Sequence, residues 1–251
     1  MTAVAPEWLM LREPADAAAR SGELAAIVAR RVRPAVVHDL GGGTGAMGRW
    51  LAPRLPGRQH WVVHDRDAAL LERALADPPG NATVEVRQAD LARLTPTDLA
   101  GADLVVASAL LDMLTAGELT ALLASAAGRP MLVALTVVGR VALVPQEPLD
   151  ARVGTAFNAH QRRRLGPDAV PVALRTLANT GAEVLVRPSP WCLGAAQAGL
   201  SAEWFDGWVA AAVEQAPELA RPADAYRERR LAQAAAGTLE VSVGHVDILV
   251  L

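Results

Sequence analysis

Four glycines follow an acidic residue in the stretch AVVHDLGGGTGAMGRWL, residues 35–51. The acid is Asp39, and the glycines are Gly41, Gly42, Gly43 and Gly45. Glycine has no Cβ, so it adopts backbone angles closed to other residues and lets a ligand approach the main chain. Free N–H groups at the start of the helix-like segment that follows add hydrogen-bond donors. These residue types at this spacing predict a loop that binds a nucleotide-like cofactor.

Two kinds of cofactor fit this loop. Gly43, Gly45 and Gly48 have the spacing of the dinucleotide fingerprint, and Asp65 lies about 20 residues further on, where an acid binds a ribose. Asp39 instead favours a cofactor with positive charge, because a carboxylate and a pyrophosphate repel one another in a partly desolvated site. An NAD(P)-dependent oxidoreductase is therefore the alternative to an enzyme with a cationic cofactor, and a non-catalytic cofactor-binding protein is a further alternative.

The chain must bring these residues together, and its patterning indicates how. Apolar runs of strand length alternate with helical patterns, which predicts an α/β fold with a parallel sheet and helices on both faces. The predicted strands cover residues 35–40, 60–65, 82–90, 103–110, 130–138, 182–188 and 238–251. Ligands of open α/β sheets bind beyond the carboxyl ends of the strands, so polar residues at those ends are expected to share one crevice.

Four segments resemble motifs of the class I, Rossmann-like S-adenosylmethionine-dependent methyltransferases: DLGGGTG, VVHDRDAALLERA, VRQADLARL and ADLVVASALLDML. The resemblance implies S-adenosylmethionine as cofactor and a doubly wound, seven-stranded sheet of order 3-2-1-4-5-7-6 whose last strand is antiparallel. It implies that Asp65 holds the ribose hydroxyls and that Asp90 and Leu91 flank the adenine. The implied cofactor-binding residues are Asp39, Gly41, Gly42, Gly43, Gly45, Asp65, Arg66, Asp90, Leu91 and Ser108.

The remaining segments are expected to cover the crevice. Residues 1–34 form a predicted N-terminal helical lid, and residues 35–251 form the methyltransferase domain. Within that domain, 139–167 and 188–237 are predicted cap segments on the substrate side, the second a helical insertion between strands six and seven. A covered crevice suits methyl transfer, which needs an aligned nucleophile and excluded water.

Candidate residues for binding the methyl acceptor or for catalysis lie in these segments and after strand four. Arg12, and with it Arg20, could reach the cofactor carboxylate or the substrate, with a solvated surface charge as the alternative. Asp112 is either substrate-binding or a helix cap, and Trp191 is predicted to line the pocket. His160 is the candidate general base, because imidazole titrates near neutrality.

His245 and Asp247 share one face of the last predicted strand and resemble a catalytic pair. The strand starts at the active-site edge and runs away from it, so both residues are expected to lie towards the opposite edge. A structural role is therefore predicted for the two.

Composition excludes several other classes. The formal net charge of −3 over 251 residues gives no general electrostatic reason to bind nucleic acid or a membrane surface. Cys192 is the only cysteine, and no metal-ligand spacing occurs. No apolar run approaches the roughly 18 residues of a membrane span. These features predict a soluble cytoplasmic protein with a small-molecule acceptor, and they leave the acceptor's identity, its methylated atom and the oligomeric state open.

Overall fold

In the computed structural model, which describes residues 5–251, all strands belong to one mixed sheet. Five parallel strands come first: β1 (Val36–Leu40), β2 (Gln59–Asp65), β3 (Ala82–Gln88), β4 (Leu104–Ser108) and β5 (Met131–Val144). The later strands are β6 (Val184–Pro188), β7 (Trp191–Leu193) and β8 (Glu240–Val250). Strand β8 runs antiparallel to β5, β6 and β7, and the main order is 3-2-1-4-5-8-6. The predicted order is confirmed, with β7 as a short strand that the sequence analysis did not predict.

Helices cover both faces of this sheet. They are α1 (Pro6–Ala19), α2 (Gly22–Arg31), α3 (Ala46–Leu51), α4 (Ala68–Ala76), α5 (Ala116–Ser125), α6 (Pro148–Gln161), α7 (Ala169–Ala178), α8 (Ala198–Gln215) and α9 (Ala220–Ala235). Alternate residues of β4 enter different apolar clusters. Val105 packs with side chains of α5 and α7, whereas Leu104 and Val106 pack with those of α2 and α3. This alternation follows from the twofold period of a strand.

Strand β5 is longer than the sequence pattern indicated. The prediction ended it at residue 138 and treated 139–167 as mostly irregular, but β5 continues to Val144 and α6 follows. Two register shifts against β8 bend the strand, and Gly139 takes a φ of +70°. A Cβ on Gly139 would stand 2.7 Å from Cβ of Pro167, so glycine is required here by space as well as by conformation. The glycine therefore marks a bend within the strand and not its end.

Helices α6, α8 and α9 pack with one another next to the C-terminal part of β5 and the N-terminal part of β8. Their shared apolar cluster includes Phe205, Trp208 and Tyr226, and it continues onto Leu143 of β5 and Val241 of β8. The ring centroids of Phe205 and Tyr226 are 5.3 Å apart. Burial of such side chains stabilises by about 1.5–3 kcal/mol each. This helical layer is thus an apolar extension of the core and not a loosely attached appendage.

Asp247 of β8 connects the start of helix α2 to the sheet. Its Oδ2 accepts a hydrogen bond from the N–H of Ser21 at 2.7 Å, and its Oδ1 accepts bonds from the N–H of Leu135 and the hydroxyl of Ser189 at 2.8 and 2.6 Å. Burial raises the pKa of Asp247, and the bonds from Ser189, Ser21 and Leu135 oppose that rise. The structural role predicted for this residue agrees with these contacts. Among residues 5–251, no helix is long and apolar enough to cross a membrane.

Candidate functional site

A cavity of about 1020 Å³ opens at the carboxyl ends of the parallel strands. It lies between the sheet, helix α1 and the layer of α6 and α8. Twelve of the predicted site residues line it: Arg12, Asp39, Gly41, Gly42, Gly43, Asp65, Arg66, Asp90, Leu91, Ser108, Asp112 and Trp191. The structure therefore brings together residues that are up to 179 positions apart in sequence (Arg12 to Trp191). Gly45 and His160 are not among the lining residues.

The glycine loop is shaped by its neighbours as much as by its own flexibility. Gly43 has a φ of +52°, and its N–H donates to Oδ2 of Asp65 at 3.0 Å. A Cβ on Gly42 would lie 2.7 Å from Cγ of Asp39 and 2.7 Å from Val63. The carboxyl group of Asp39 thus packs directly beneath the loop. Any larger residue at position 42 would displace one of these groups.

Gly45 has a packing role that the resemblance did not imply. It is the N-cap of α3 with a φ of +81°, and a Cβ there would lie 3.4 Å from Ala74 of α4. The residue therefore allows the turn into α3 and close packing of two helices. It is not among the residues that line the cavity, and the cofactor contact implied for it stays a prediction.

Asp39 and Arg20 are buried charges at one end of the cavity. Neither carboxyl oxygen of Asp39 has a hydrogen-bond partner within residues 5–251, and burial raises the pKa of this group to about 7. Arg20, the C-cap of α1, donates through Nη2 to the hydroxyl of Ser108 at 3.0 Å, while its Nε and Nη1 have no partner in the same range. Burial lowers the pKa of Arg20 and the charge of Asp16 opposes that effect. Buried polar groups are normally paired, so these atoms point to a ligand.

Asp65 and Asp90 lie where the cavity runs along the ends of β2 and β3. Oδ1 of Asp65 accepts from the N–H of Asp67 at 3.0 Å, in addition to the bond from the glycine loop. Oδ1 of Asp90 accepts from the N–H of Ala92 at 3.1 Å, which caps a single turn that starts at Leu91. Both carboxylates are thus fixed by main-chain donors.

The aromatic end of the cavity is lined by Trp8, Phe157, Trp191 and Trp204. It adjoins Arg20, because Nη2 of Arg20 lies 4.0 Å from Asp16. The indole N–H of Trp191 donates to Oδ1 of Asp16 at 2.9 Å. Two bonds of 2.9 and 3.1 Å join Arg12 to Asp16, and the guanidinium lies 5.0 Å from the ring centre of Trp191. Arg12 is therefore a paired component of the wall.

Asp112 faces the cavity and does not cap α5. That helix is capped by Thr115, with Glu118 completing a capping box. Oδ1 of Asp112 is buried without a partner among the described residues, and burial raises the pKa of its carboxyl group. Of the two interpretations left open for this residue, the cap is excluded and a role in ligand binding remains a prediction.

Two histidine predictions need correction. His160 on α6 contacts Glu214 at 3.3 Å and Arg163 at 3.1 Å, outside the cavity lining, because the helix turns it towards α8. His245, predicted to lie near the far edge, lines the cavity. It pairs with Val137, within the predicted bounds of β5. Register shifts between β5 and β8 lie on both sides of this pair, and the sequence pattern did not predict them.

Comparisons with known proteins add an independent finding. Residues 37–129 match a family model described as a methyltransferase domain. Among solved structures, the cyclopropane synthase MmaA2 from Mycobacterium tuberculosis is 14% identical with a TM-score of 0.50, over 99% of this chain and 95% of that chain. The plantazolicin methyltransferase BpumL is 9% identical with a TM-score of 0.48, over 96% of this chain and 85% of that chain. No match was found among curated proteins.

The matched residues 37–129 extend from β1 past α5 and contain the glycine loop, Asp39, Asp65, Asp90 and Ser108. The likeness to the cyclopropane synthase is one of fold. The fold and the matched domain agree with the class I, Rossmann-like methyltransferase resemblance of the sequence motifs and with S-adenosylmethionine as the cofactor.

Proposed function

We propose that this chain transfers a methyl group from S-adenosylmethionine to a small-molecule acceptor. The observation that carries the proposal is a set of unpartnered buried polar atoms on Arg20 and Asp39. Two nitrogens of Arg20, Nε and Nη1, and both carboxyl oxygens of Asp39 have no hydrogen-bond partner within the described residues. The amino-acid part of S-adenosylmethionine presents a carboxylate and an ammonium group, which complement this pair.

The rest of the cofactor has partners along the same edge. In this proposal, Asp65 binds the ribose hydroxyls beside the N–H of Gly43, and Leu91 and Asp90 contact the adenine. Arg66 also lines this part of the cavity. When bound, the cofactor supplies an electrophilic methyl group. The residues of the chain bind it, orient it and exclude water, which is how an enzyme accelerates a displacement between two aligned reactants.

The size of the cavity supports a second ligand. Pockets for drug-sized molecules measure about 300–1,000 Å³, and this cavity of about 1020 Å³ is at the top of that range. The aromatic end beyond Asp39 is therefore the proposed acceptor site, with Arg12, Asp112 and Trp191 in its wall. A purely cofactor-binding protein would have no need of this additional space.

Three segments are proposed as covers for the two ligands. The N-terminal segment 1–34 contributes Trp8 and Arg20 through α1 and its C-cap, although residues 1–4 lie outside the described part of the chain. The segment 139–167 contributes Phe157, and the segment 188–237 contributes Trp191 and Trp204. The body of the enzyme is proposed to be residues 35–251, with those two cap segments inside it.

Cofactor binding tests the proposal against the oxidoreductase alternative. We expect S-adenosylmethionine and S-adenosylhomocysteine to bind in isothermal titration calorimetry and NADH not to bind, because a pyrophosphate would meet the unpaired Asp39. Arg20→Met is expected to weaken S-adenosylhomocysteine about tenfold or more through loss of charge-assisted bonds. The same variant should leave 5′-methylthioadenosine, which lacks the amino-acid part, unaffected. Binding of NADH alone would reject the proposal.

The pH dependence of binding follows from Asp39. Its pKa of about 7 means that it becomes neutral as the pH falls below 7, and the ligand's ammonium then loses its counter-charge. The affinity for S-adenosylhomocysteine is therefore expected to be full above pH 7 and to decrease below it, towards about tenfold per pH unit. The affinity for 5′-methylthioadenosine, which carries no ammonium group, is the control and should change little. If the affinities for both ligands changed equally with pH, the result would contradict the role of Asp39.

A further inference from the structure

His245 is a buried polar residue at the aromatic end of the cavity. It is 5% exposed, and its ring centroid lies 5.5 Å from that of Trp191. The polar atom of Trp191 is satisfied by Asp16, as described above. Nδ1 of His245, in contrast, is buried without a hydrogen-bond partner among residues 5–251. An unpartnered buried nitrogen in a cavity wall points to a ligand.

The charges around His245 are already engaged with one another. From α1, Arg12 and Asp16 face it as a bidentate ion pair, and Nη2 of Arg20 lies 4.0 Å from Asp16. On its own strand, Asp247 is occupied by Ser189 and two main-chain N–H groups. None of these charges supplies a partner for Nδ1.

The imidazole is held neutral by this environment. Burial, and after it the charge of Arg12, lower the pKa of His245 to about 4, while a hydrogen bond between the ring and the main chain of Val243 opposes the shift. A neutral imidazole has one N–H donor and one nitrogen with a lone pair, so the ring of His245 can accept one hydrogen bond near neutral pH. His245 lines the cavity, and its unpartnered Nδ1 is the atom to which the proposal assigns that lone pair.

We propose that Nδ1 of His245 binds the reacting hydroxyl of the methyl acceptor, and that the acceptor is a flat, largely apolar molecule with a phenol-type hydroxyl group. The assignment rests on the proposed methyl transfer. A cationic amine is disfavoured because it would lie beside the sulfonium of the cofactor, and burial raises the pKa of Asp112 so that this acid supplies less counter-charge. A carboxylate is disfavoured because the imidazole is neutral and Asp16 is near. An uncharged aromatic hydroxyl satisfies Nδ1 and packs against Trp8 and Trp204.

In the proposed reaction the methyl group passes from the sulfur of the cofactor to the hydroxyl oxygen of the acceptor. A lone pair of the hydroxyl oxygen forms a bond to the methyl carbon, and the carbon–sulfur bond breaks with its electron pair remaining on sulfur. The hydroxyl proton passes to Nδ1 of His245. A weak base is sufficient, because the hydroxyl proton becomes strongly acidic as the oxygen donates its electrons.

Binding of 2-naphthol to the protein loaded with S-adenosylhomocysteine tests the assignment, with 2-fluoronaphthalene as the matched molecule that cannot donate a proton. We expect 2-naphthol to bind at least about tenfold more tightly. His245→Phe should abolish this preference and leave the affinity for S-adenosylhomocysteine unchanged, because the phenyl ring keeps the contact with Trp191. His60→Gln is the control variant, since His60 is half-exposed and bonds Thr83 and Glu85 on β3.

A second readout is the ¹⁵N resonance of Nδ1 of His245, which should shift when 2-naphthol is added and not when 2-fluoronaphthalene is added. A structural histidine would show no such difference. Formation of 2-methoxynaphthalene from S-adenosylmethionine should be lost in His245→Phe. Equal affinity for the two naphthalenes, absence of 2-naphthol binding, or a preference that survives His245→Phe would overturn the assignment while cofactor binding remains. Failure to bind S-adenosylhomocysteine would instead overturn the proposed function.

Discussion

Replacement of Asp65 with alanine is expected to raise the dissociation constant of S-adenosylhomocysteine about a hundredfold or more. The proposed bonds from Asp65 to the two ribose hydroxyls are charge-assisted and contribute about 1.5–3 kcal/mol each, and the sum of about 3 kcal/mol or more corresponds to that factor. The variant also loses the two bonds that fix the carboxylate to the N–H groups of Gly43 and Asp67. The glycine loop would then be less ordered before the ligand binds, so the cost of ordering it would reduce the affinity.

The origin of the loss can be measured with truncated ligands. We compare 5′-methylthioadenosine with its 2′,3′-dideoxy derivative on the parent protein and on Asp65→Ala. If Asp65 binds the hydroxyls, removal of the hydroxyls weakens binding to the parent strongly and to the variant little. Asp77→Ala is the control, because its side chain is 74% exposed and pairs only with Arg49 among the described contacts. Additive losses would show that Asp65 acts elsewhere.

The cofactor side of the cavity was predictable because its signals are local. Asp39, Asp65 and Asp90 each follow an apolar run of strand length, and the carboxyl ends of parallel strands lie at one edge of the sheet. The glycines that accompany Asp39 have positive φ angles or no room for a Cβ, which is a property of single positions. Such features depend on residue type and on spacing within about 15 residues. Their positions in the structure therefore agree with the sequence pattern.

Arg20 and the proposed acceptor side were less predictable because they depend on contacts between distant segments. Arg20 follows a helix with ordinary charged patterning, and only its packing against the ends of β1 and β4 distinguishes it from a surface residue. His160 shows the reverse case, since a helical pattern does not determine which side of α6 faces the cavity. His245 depends on two register shifts between β5 and β8. Neither the rotation of a helix nor a strand bulge is specified by hydrophobic periodicity alone.

The helical layer over the cavity contains a second feature that the sequence did not indicate. Arg230 of α9 is completely buried and donates to both carboxylate oxygens of Asp150, at 2.6 and 2.7 Å. It also donates to the carbonyl of Pro145 at 2.6 Å, and the hydroxyl of Tyr226 donates to the same carboxylate at 2.6 Å. Burial raises the pKa of Tyr226 above its usual range, and Asp150 adds to the rise. The network joins α9 to the start of α6 and the end of β5.

Arg230→Met is therefore expected to lower the free energy of unfolding by about 3–5 kcal/mol, because it leaves Asp150, whose side chain is 15% exposed, without its counter-charge. Urea denaturation measures the loss. Arg227→Met on the same helix is the matched control: its ion pair with Asp206 is half-exposed and should contribute at most about 1 kcal/mol.

Adding Asp150→Asn to Arg230→Met removes the unpaired charge, so the double variant should be more stable than Arg230→Met alone. A loss below about 1 kcal/mol for Arg230→Met, or no recovery in the double variant, would show that the pair does not hold this layer in place. Since Phe157 and Trp204 reach the acceptor site from helices of this layer, a loosened layer should weaken 2-naphthol binding more than binding of S-adenosylhomocysteine.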